Sequence, residues 1–317
     1  SPMALTYRRA LPRTAMLLAL VALLAPGLAP APARAVGGVG DLYVTSDASN
    51  VVRAYAGASG NYLGIHSTAG LGSGQLAIHF GATNNRVLVG SFGGGVDEYN
   101  AGTGAYIKTY SPGGGFQWAG LYAASGNVLI GSQTTNDVRE YDPVTGALLG
   151  VFCSVPGPAD MRIGPNGNLY VCSYIGNKVM EFNGTSGAFV SEWFMPVSGP
   201  RPNDVAFLPS GQILVTCMGT NVCYRFDSSH NLLGSFAGTG WERPHGIDIS
   251  PADGRIYIVD GVTTQVHVFD PVTFAELSMG YLAPDLGDKI VDLEFRRDTQ
   301  ITPVEHTTWS RLKTLYP

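Results

Sequence analysis

Three kinds of side chain in this sequence could do chemistry. His245, in Pro244-His245-Gly246-Ile247, is the residue type that exchanges a proton near neutral pH. Asp160, Asp204 and Asp292 recur in short apolar runs, and several such oxygens converging could hold a hard cation. Trp118, Gln133, Tyr174, Met218 and Trp241 offer flat, polar or polarisable surface on which a sugar or peptide could stack. Each has a plainer reading as well. A histidine at a loop-to-strand junction also serves as a structural hydrogen-bonder, buried aspartates accept backbone N–H groups, and tryptophans pack between strands. His66, His79, His230, His267 and His306 show no metal-ligand spacing, and no G-x-S-x-G, HExxH, P-loop or CxxC pair is present.

The elements that must position these groups repeat. A strand-start motif recurs at Leu42 (LYVTS), Val87 (VLVGS), Val128 (VLIGS), Leu169 (LYVCS), Ile213 (ILVTC) and Ile256 (IYIVD), at spacings of 41 to 45 residues. Each is followed by a second strand ending in an aromatic: Tyr55, Tyr99, Tyr141, Phe182, Phe226 and Phe269. Turns such as DPVTG at Asp142 and NGTSG at Asn183 come next, where Asp or Asn bonds its own backbone and the last Gly supplies positive φ. Phe274 replaces that Gly in the sixth copy, which predicts a different turn there. Third and fourth strands follow, so each repeat holds four short antiparallel strands, the period of a propeller blade. No inner strand precedes Leu42, whereas Val291–Phe295 (VDLEF) matches the inner-strand pattern of NDVAF at Asn203. The fold expected is therefore all-β: a six-bladed β-propeller over residues 36–300 whose C-terminal strand completes the first blade.

Aligning the inner strands by motif gives rings around the axis. One ring reads Gly74, Ala119, Ala159, Asn203, His245 and Val291; its neighbour reads Gln75, Gly120, Asp160, Asp204, Gly246 and Asp292. The residues closing the second strand of each blade, Ser46, Ser91, Ser132, Ser173, Cys217 and Asp260, predict a mouth that is mostly small and neutral.

The units GNLYV and aromatic-Asp/Asn-x-x-Thr/Ser-Gly resemble the NHL-type repeats of secreted bacterial propeller proteins over roughly residues 40–300. That group includes binding scaffolds, lyases and hydrolases, so resemblance implies the fold before the function. Gluconolactonase-like and paraoxonase-like hydrolases hold a divalent cation on the axis through Glu, Asn and Asp. RPND at Arg201 is similar to their Asn motif, which would make Asn203 and Asp204 ligands for calcium or magnesium; His245 stands where a second Asn is expected, and the Glu is absent. PHGI at Pro244 resembles the repeat of streptogramin lyases, and implies His245 as base with Asp260 as its carboxylate partner. Asp stands there in place of Glu, and six blades in place of seven.

Composition agrees with export and a turn-rich fold. Glycine numbers 42 and charged residues make up 14%, against a usual share of roughly 25% charged. Arg8, Arg9 and Arg13, an apolar run from Ala15 to Leu24, and Ala33-Arg34-Ala35 read as a signal peptide over residues 1–35. That run is too short for a transmembrane helix. Removing its four arginines leaves 15 of the 19 basic residues against 24 acidic ones; this argues against nucleic-acid or anionic-membrane partners. Of the four cysteines, Cys217 and Cys223 flank one hairpin and are the favoured disulfide, with free buried thiols as the other option. Residues 301–317 form a tail in which Trp309, Leu312 and Leu315/Tyr316 fall on one face of a short helix. It is read as packed on the ring, as a docking tag, or as disordered.

The sequence favours a secreted, non-catalytic binding module for a carbohydrate, peptide or extracellular protein. A divalent-metal-assisted lactonase or lyase on the same face, and an extracellular structural subunit, are the alternatives.

Overall fold

The computed structural model describes residues 37–68, 74–81, 85–110, 117–282 and 289–297. The expected signal peptide and the C-terminal tail lie outside these residues. Among the described residues no helix is long and apolar enough to cross a membrane.

Among the described residues, twenty-four strands form six antiparallel blades of four. The innermost strands of blades two to six are β4 (Gln75–Phe80), β8 (Gln117–Tyr122), β12 (Pro158–Ile163), β16 (Pro202–Phe207) and β20 (Pro244–Ile249). Blade one takes its innermost strand from the other end of the chain: β24 (Ile290–Phe295) pairs with β1 (Leu42–Ser46), Leu42 opposite Phe295 and Val44 opposite Leu293. The ring is closed by the C-terminal strand, as the missing first inner strand implied. Closure covers the inner edge of β1, which would otherwise be left unpaired. Blades two and three also touch through one bridge, Ser91 opposite Gln117.

Every inner strand carries a bulge near its start, and the bulges set the rings. Registers shift between Gln75 and Ile78, Gln117 and Gly120, Pro158 and Met161, Pro202 and Val205, and Pro244 and Ile247. The two residues inside each shift leave the ladder and turn away from the sheet. The ring of Asn203 and His245 is therefore Leu76, Trp118, Ala159, Asn203, His245 and Val291, and the ring below it is Ala77, Ala119, Asp160, Asp204, Gly246 and Asp292. This corrects the motif alignment by two residues in blade two and by one in blade three.

The serines closing the second strands are buried turn caps and do not line an open mouth. Ser46, Ser91, Ser132 and Ser173 accept through Oγ from the N–H three residues on, at 3.1–3.4 Å, and Asp260 does the same with Thr263 at 3.3 Å. The fourth residue after each of these caps, and after Cys217 at the same place in blade five, is left-handed: Asn50, Gly95, Asn136, Asn177, Asn221 and Thr264, the last with φ 60°. Asn and Gly tolerate this region, and a β-branched threonine does not. Thr264→Asn is expected to stabilise the protein by about 1 kcal/mol and raise Tm by roughly 2–4 °C, measured by thermal denaturation; no gain would show that the strain is relieved elsewhere.

Two expectations are corrected. Blade six turns like the others: Phe274 N–H donates to Asp270 O at 3.0 Å, matching Gly146 to Asp142 at 2.9 Å, and Phe274 adopts φ 59°. Arg225 lies 4.0 Å over its ring and Phe236 packs at 5.3 Å, which offsets the strain. No disulfide joins Cys217 and Cys223, since all four cysteines are free and buried. Cys217 pairs with Val222 and Thr216 with Cys223. Paired residues share a face and successive residues alternate, so the two thiols point to opposite sides of the blade. They join different hydrophobic clusters.

Candidate functional site at the propeller axis

The bulge residues bring Asn203 and His245 side by side in adjacent blades at the end of the axis where the capped turns lie. His245 is only 8% exposed, and its Nδ1 has no hydrogen-bond partner. Burial first, then the charge of Arg243, depress its pKa to about 4 against the opposing pull of Asp260. The imidazole is thus neutral at physiological pH, able to donate or accept a hydrogen bond but a weak base. Its ring lies over Gly261, where a Cβ would come within 2.7 Å, and its backbone carbonyl accepts from Thr216 Oγ1 at 2.5 Å. Asn203 is buried with Oδ1 unpartnered.

Asp260 is fully occupied elsewhere. Its oxygens accept from the backbone N–H groups of Glu242 (2.7 Å), Arg243 (3.3 Å), Val262 (2.8 Å) and Thr263 (3.3 Å). Among the described residues no hydrogen bond joins it to His245. Those four donors make Asp260 the anchor of two loops, and the structure does not assemble the base–carboxylate pair that the lyase resemblance implied.

The stacking candidates divide into two groups. Trp118 occupies the ring itself and packs on Tyr174 with centroids 6.0 Å apart and planes 32° apart, while the Arg201 guanidinium covers Tyr174 at 5.5 Å. Gln133 and Met218 are half-buried on the same rim, and Ile175, beside Tyr174, is 59% exposed. Trp241 is elsewhere. It is 6% exposed in the core between blades five and six, donates Nε1–H to Asn221 O at 2.6 Å, and packs on Phe269 at 5.5 Å.

Below this ring the axis is filled by charge. Asp204 Oδ2 accepts the N–H of Ile247 in the next blade at 2.9 Å, and Asp292 Oδ2 accepts that of Ile78 at 2.9 Å; both are the interblade bonds that buried aspartates make. One layer further, Asp248 accepts from Phe295 N at 2.8 Å and Glu294 from Phe80 N at 2.8 Å. Asp160 departs from the rule by bonding His79 Nε2 across the ring at 2.7 Å. Arg162 reaches Asp204 at 3.4 Å and Asp248 at 3.2 Å, and Arg297 reaches Asp248 at 2.6 Å. Burial, then the charge of Asp160, push Asp204 up to about 7; burial with Asp160 and Asp204 push Asp292 well above the usual range. Burial opposes charge on His79, but Asp160 and Glu294 outweigh it and raise its pKa. Sequence reasoning passed over His79 because its partner lies 81 residues away.

Asn203 and Asp204 do not by themselves make a metal centre. Both Asp204 oxygens hold N–H groups, Val205 at 2.6 Å and Ile247 at 2.9 Å, and Asn203 belongs to the ring above. The oxygens that the fold gathers are those of Asp160, Asp204 and Asp292.

No family profile matches the chain, and no curated protein does. Solved structures do. A structure of the nidogen/laminin complex aligns at TM-score 0.63 and 12% identity, covering 80% of this chain and 97% of that one. A protein of unknown function from Bacteroides caccae aligns at 0.60 and 14%, covering 80% and 97%. A catalytically inactive virginiamycin B lyase from Staphylococcus aureus, determined with quinupristin, aligns at 0.58 and 11%, covering 78% and 85%. Identities this low speak for fold alone, and the fold they share with this chain is the β-propeller.

Proposed function

We propose that this protein is an exported, non-catalytic propeller that binds a carbohydrate or peptide segment at the axial mouth. One observation carries the reading: the unpartnered Asn203 Oδ1 and His245 Nδ1 sit beside an apolar and aromatic rim of Trp118, Tyr174, Ile175 and Met218. Buried polar atoms left without partners cost free energy, and a ligand that hydrogen-bonds them recovers it. The rim supplies a stacking surface for the ligand's apolar face. With its pKa depressed to about 4, His245 is a weak base that suits recognition better than proton abstraction, and Asp260 is spent on loop anchoring.

Glycan and peptide arrays on the full chain, followed by calorimetry on the hits, test this. Tyr174→Ala and Asn203→Ala are expected to weaken binding on the order of tenfold each in protein that still melts cooperatively. Robust metal-dependent turnover that disappears in His245→Ala would sink the proposal. A second reading, a metal-assisted lyase or lactonase, draws on the same unpaired His245 and on the shared fold with virginiamycin B lyase. It requires elimination or lactone hydrolysis that follows His245.

A further inference from the structure

The carboxylates of Asp160 in β12, Asp204 in β16 and Asp292 in β24 converge below the mouth. One oxygen from each lies within 4.8 Å of the other two. Asp292 is 2% exposed, its Oδ2 is held by Ile78 N–H at 2.9 Å, and its Oδ1 is buried with no partner at all. That orphan atom faces Gly246, where a Cβ would stand 1.9 Å from it. Glycine leaves room for the oxygen but supplies no side-chain donor.

Charge points the same way. Asp160, Asp204 and Asp292, with Asp248 and Glu294 one layer on, are all buried carboxylates. Facing them are the guanidiniums of Arg162 and Arg297 and the imidazole of His79. With all five ionised and His79 protonated, their charges sum to two negative, which is the charge of one divalent ion. Buried charge is stable only when paired or coordinated.

We propose that Asp160, Asp204 and Asp292 hold one structural divalent cation of the calcium class, fastening the C-terminal strand to blades four and five. Three carboxylate oxygens form a hard donor set, since His79 Nε2 is engaged by Asp160 and no thiol is present in the cluster. Three oxygens all within 4.8 Å of one another are close enough to share one ion at calcium–oxygen distances of about 2.3–2.6 Å after small side-chain rotations, and calcium accepts irregular carboxylate cages where magnesium demands a near-regular octahedron with retained water. Because Asp292 belongs to the strand that closes the ring, binding is coupled to closure. The site lies a layer below the mouth and does not rest on the ligand reading given above.

Metal analysis of the full chain purified without chelator is expected to find about one calcium per chain. Returning calcium to the stripped protein is expected to raise Tm by at least about 5 °C. Asp292→Asn keeps an acceptor for Ile78 N–H but removes the charge, and is expected to abolish both the bound metal and the shift. Asp160→Asn carries the same test should Asp292→Asn fail to fold. Stripped protein whose Tm ignores calcium, or an Asp292→Asn protein that keeps the full shift, overturns the proposal. Chelation is expected to leave glycan or peptide affinity at the mouth unchanged, so the two proposals fail separately.

Discussion

Gly246→Ala is expected to lower Tm by roughly 6–12 °C, from about 3 kcal/mol of overpacking. The added Cβ would lie 1.9 Å from Asp292 Oδ1, a side-chain atom, but also 2.8 Å from Asp292 Cα. Rotating the carboxylate relieves only the first contact. The second can be relieved only by moving β24, which is laddered to β1 and further held by Asp292 N–H donating to Thr45 Oγ1 at 3.1 Å. A retreat of β24 pulls on the bonds from Asp292 to Ile78 N and from Asp248 to Phe295 N, which lie on either side of the closing strand. Gly38→Ala is the control: its nearest neighbour would be 3.8 Å away and its φ is not positive, so Tm should not move. Equal melting of the two variants would refute the close approach at the axis.

The second large effect is on pH dependence. In chelator, stability is expected to fall by about 2 kcal/mol between pH 6.5 and 8, measured by urea unfolding at several pH values. Asp204 keeps its proton in the folded state up to about 7, and Asp292 is raised in the same direction. In the unfolded chain both are ionised above about pH 5. His79, raised when folded, also binds its proton more tightly in the native state. The native state therefore holds more protons across this window, and raising the pH favours unfolding. His245, depressed to about 4, works in the opposite sense, but its contribution grows only between about pH 4 and 6.5 and is complete above that. Asp248, which burial would raise but which Arg297 and Arg162 hold below the usual range, loses its contribution only in acid. A flat or rising profile above pH 6.5 would show that the axial carboxylates do not share protons this way.

Much of the scaffold was legible because each blade spells the same physics. Alternating apolar residues, an aromatic closing the third strand of each blade and Asp/Asn-led turns fixed the blade count, and the absent first inner strand announced the closure. Register inside the blades was harder to read. Blades four, five and six mark the bulge with Pro158, Pro202 and Pro244, whereas Gln75 and Gln117 occupy that place in blades two and three. With no proline to align on, the motif comparison slid by one or two residues and missed that Trp118 itself stands in the ring of Asn203 and His245. The recurring Ser was visible too, but its meaning was not, since a hydroxyl at a strand end serves a mouth or a turn equally well until its N–H donor is seen.

The candidate groups divide along the same line. In blades four to six and in the closing strand local sequence determined which residues lie at the axis, because a bulge beside a short strand is a local event and repeats with it. It also placed Asp204 and Asp292 correctly as acceptors between blades. Tertiary structure alone decided what those residues are free to do. Asp260 is consumed by four loop N–H groups, Trp241 is sunk between two blades, and Asp160 turns to His79 across the ring, leaving Asp292 Oδ1 without a donor. Hydrogen-bond supply and charge balance at the axis are sums over blades up to about two hundred residues apart in the chain, as from Asp292 to Ile78, and no local pattern carries such a sum.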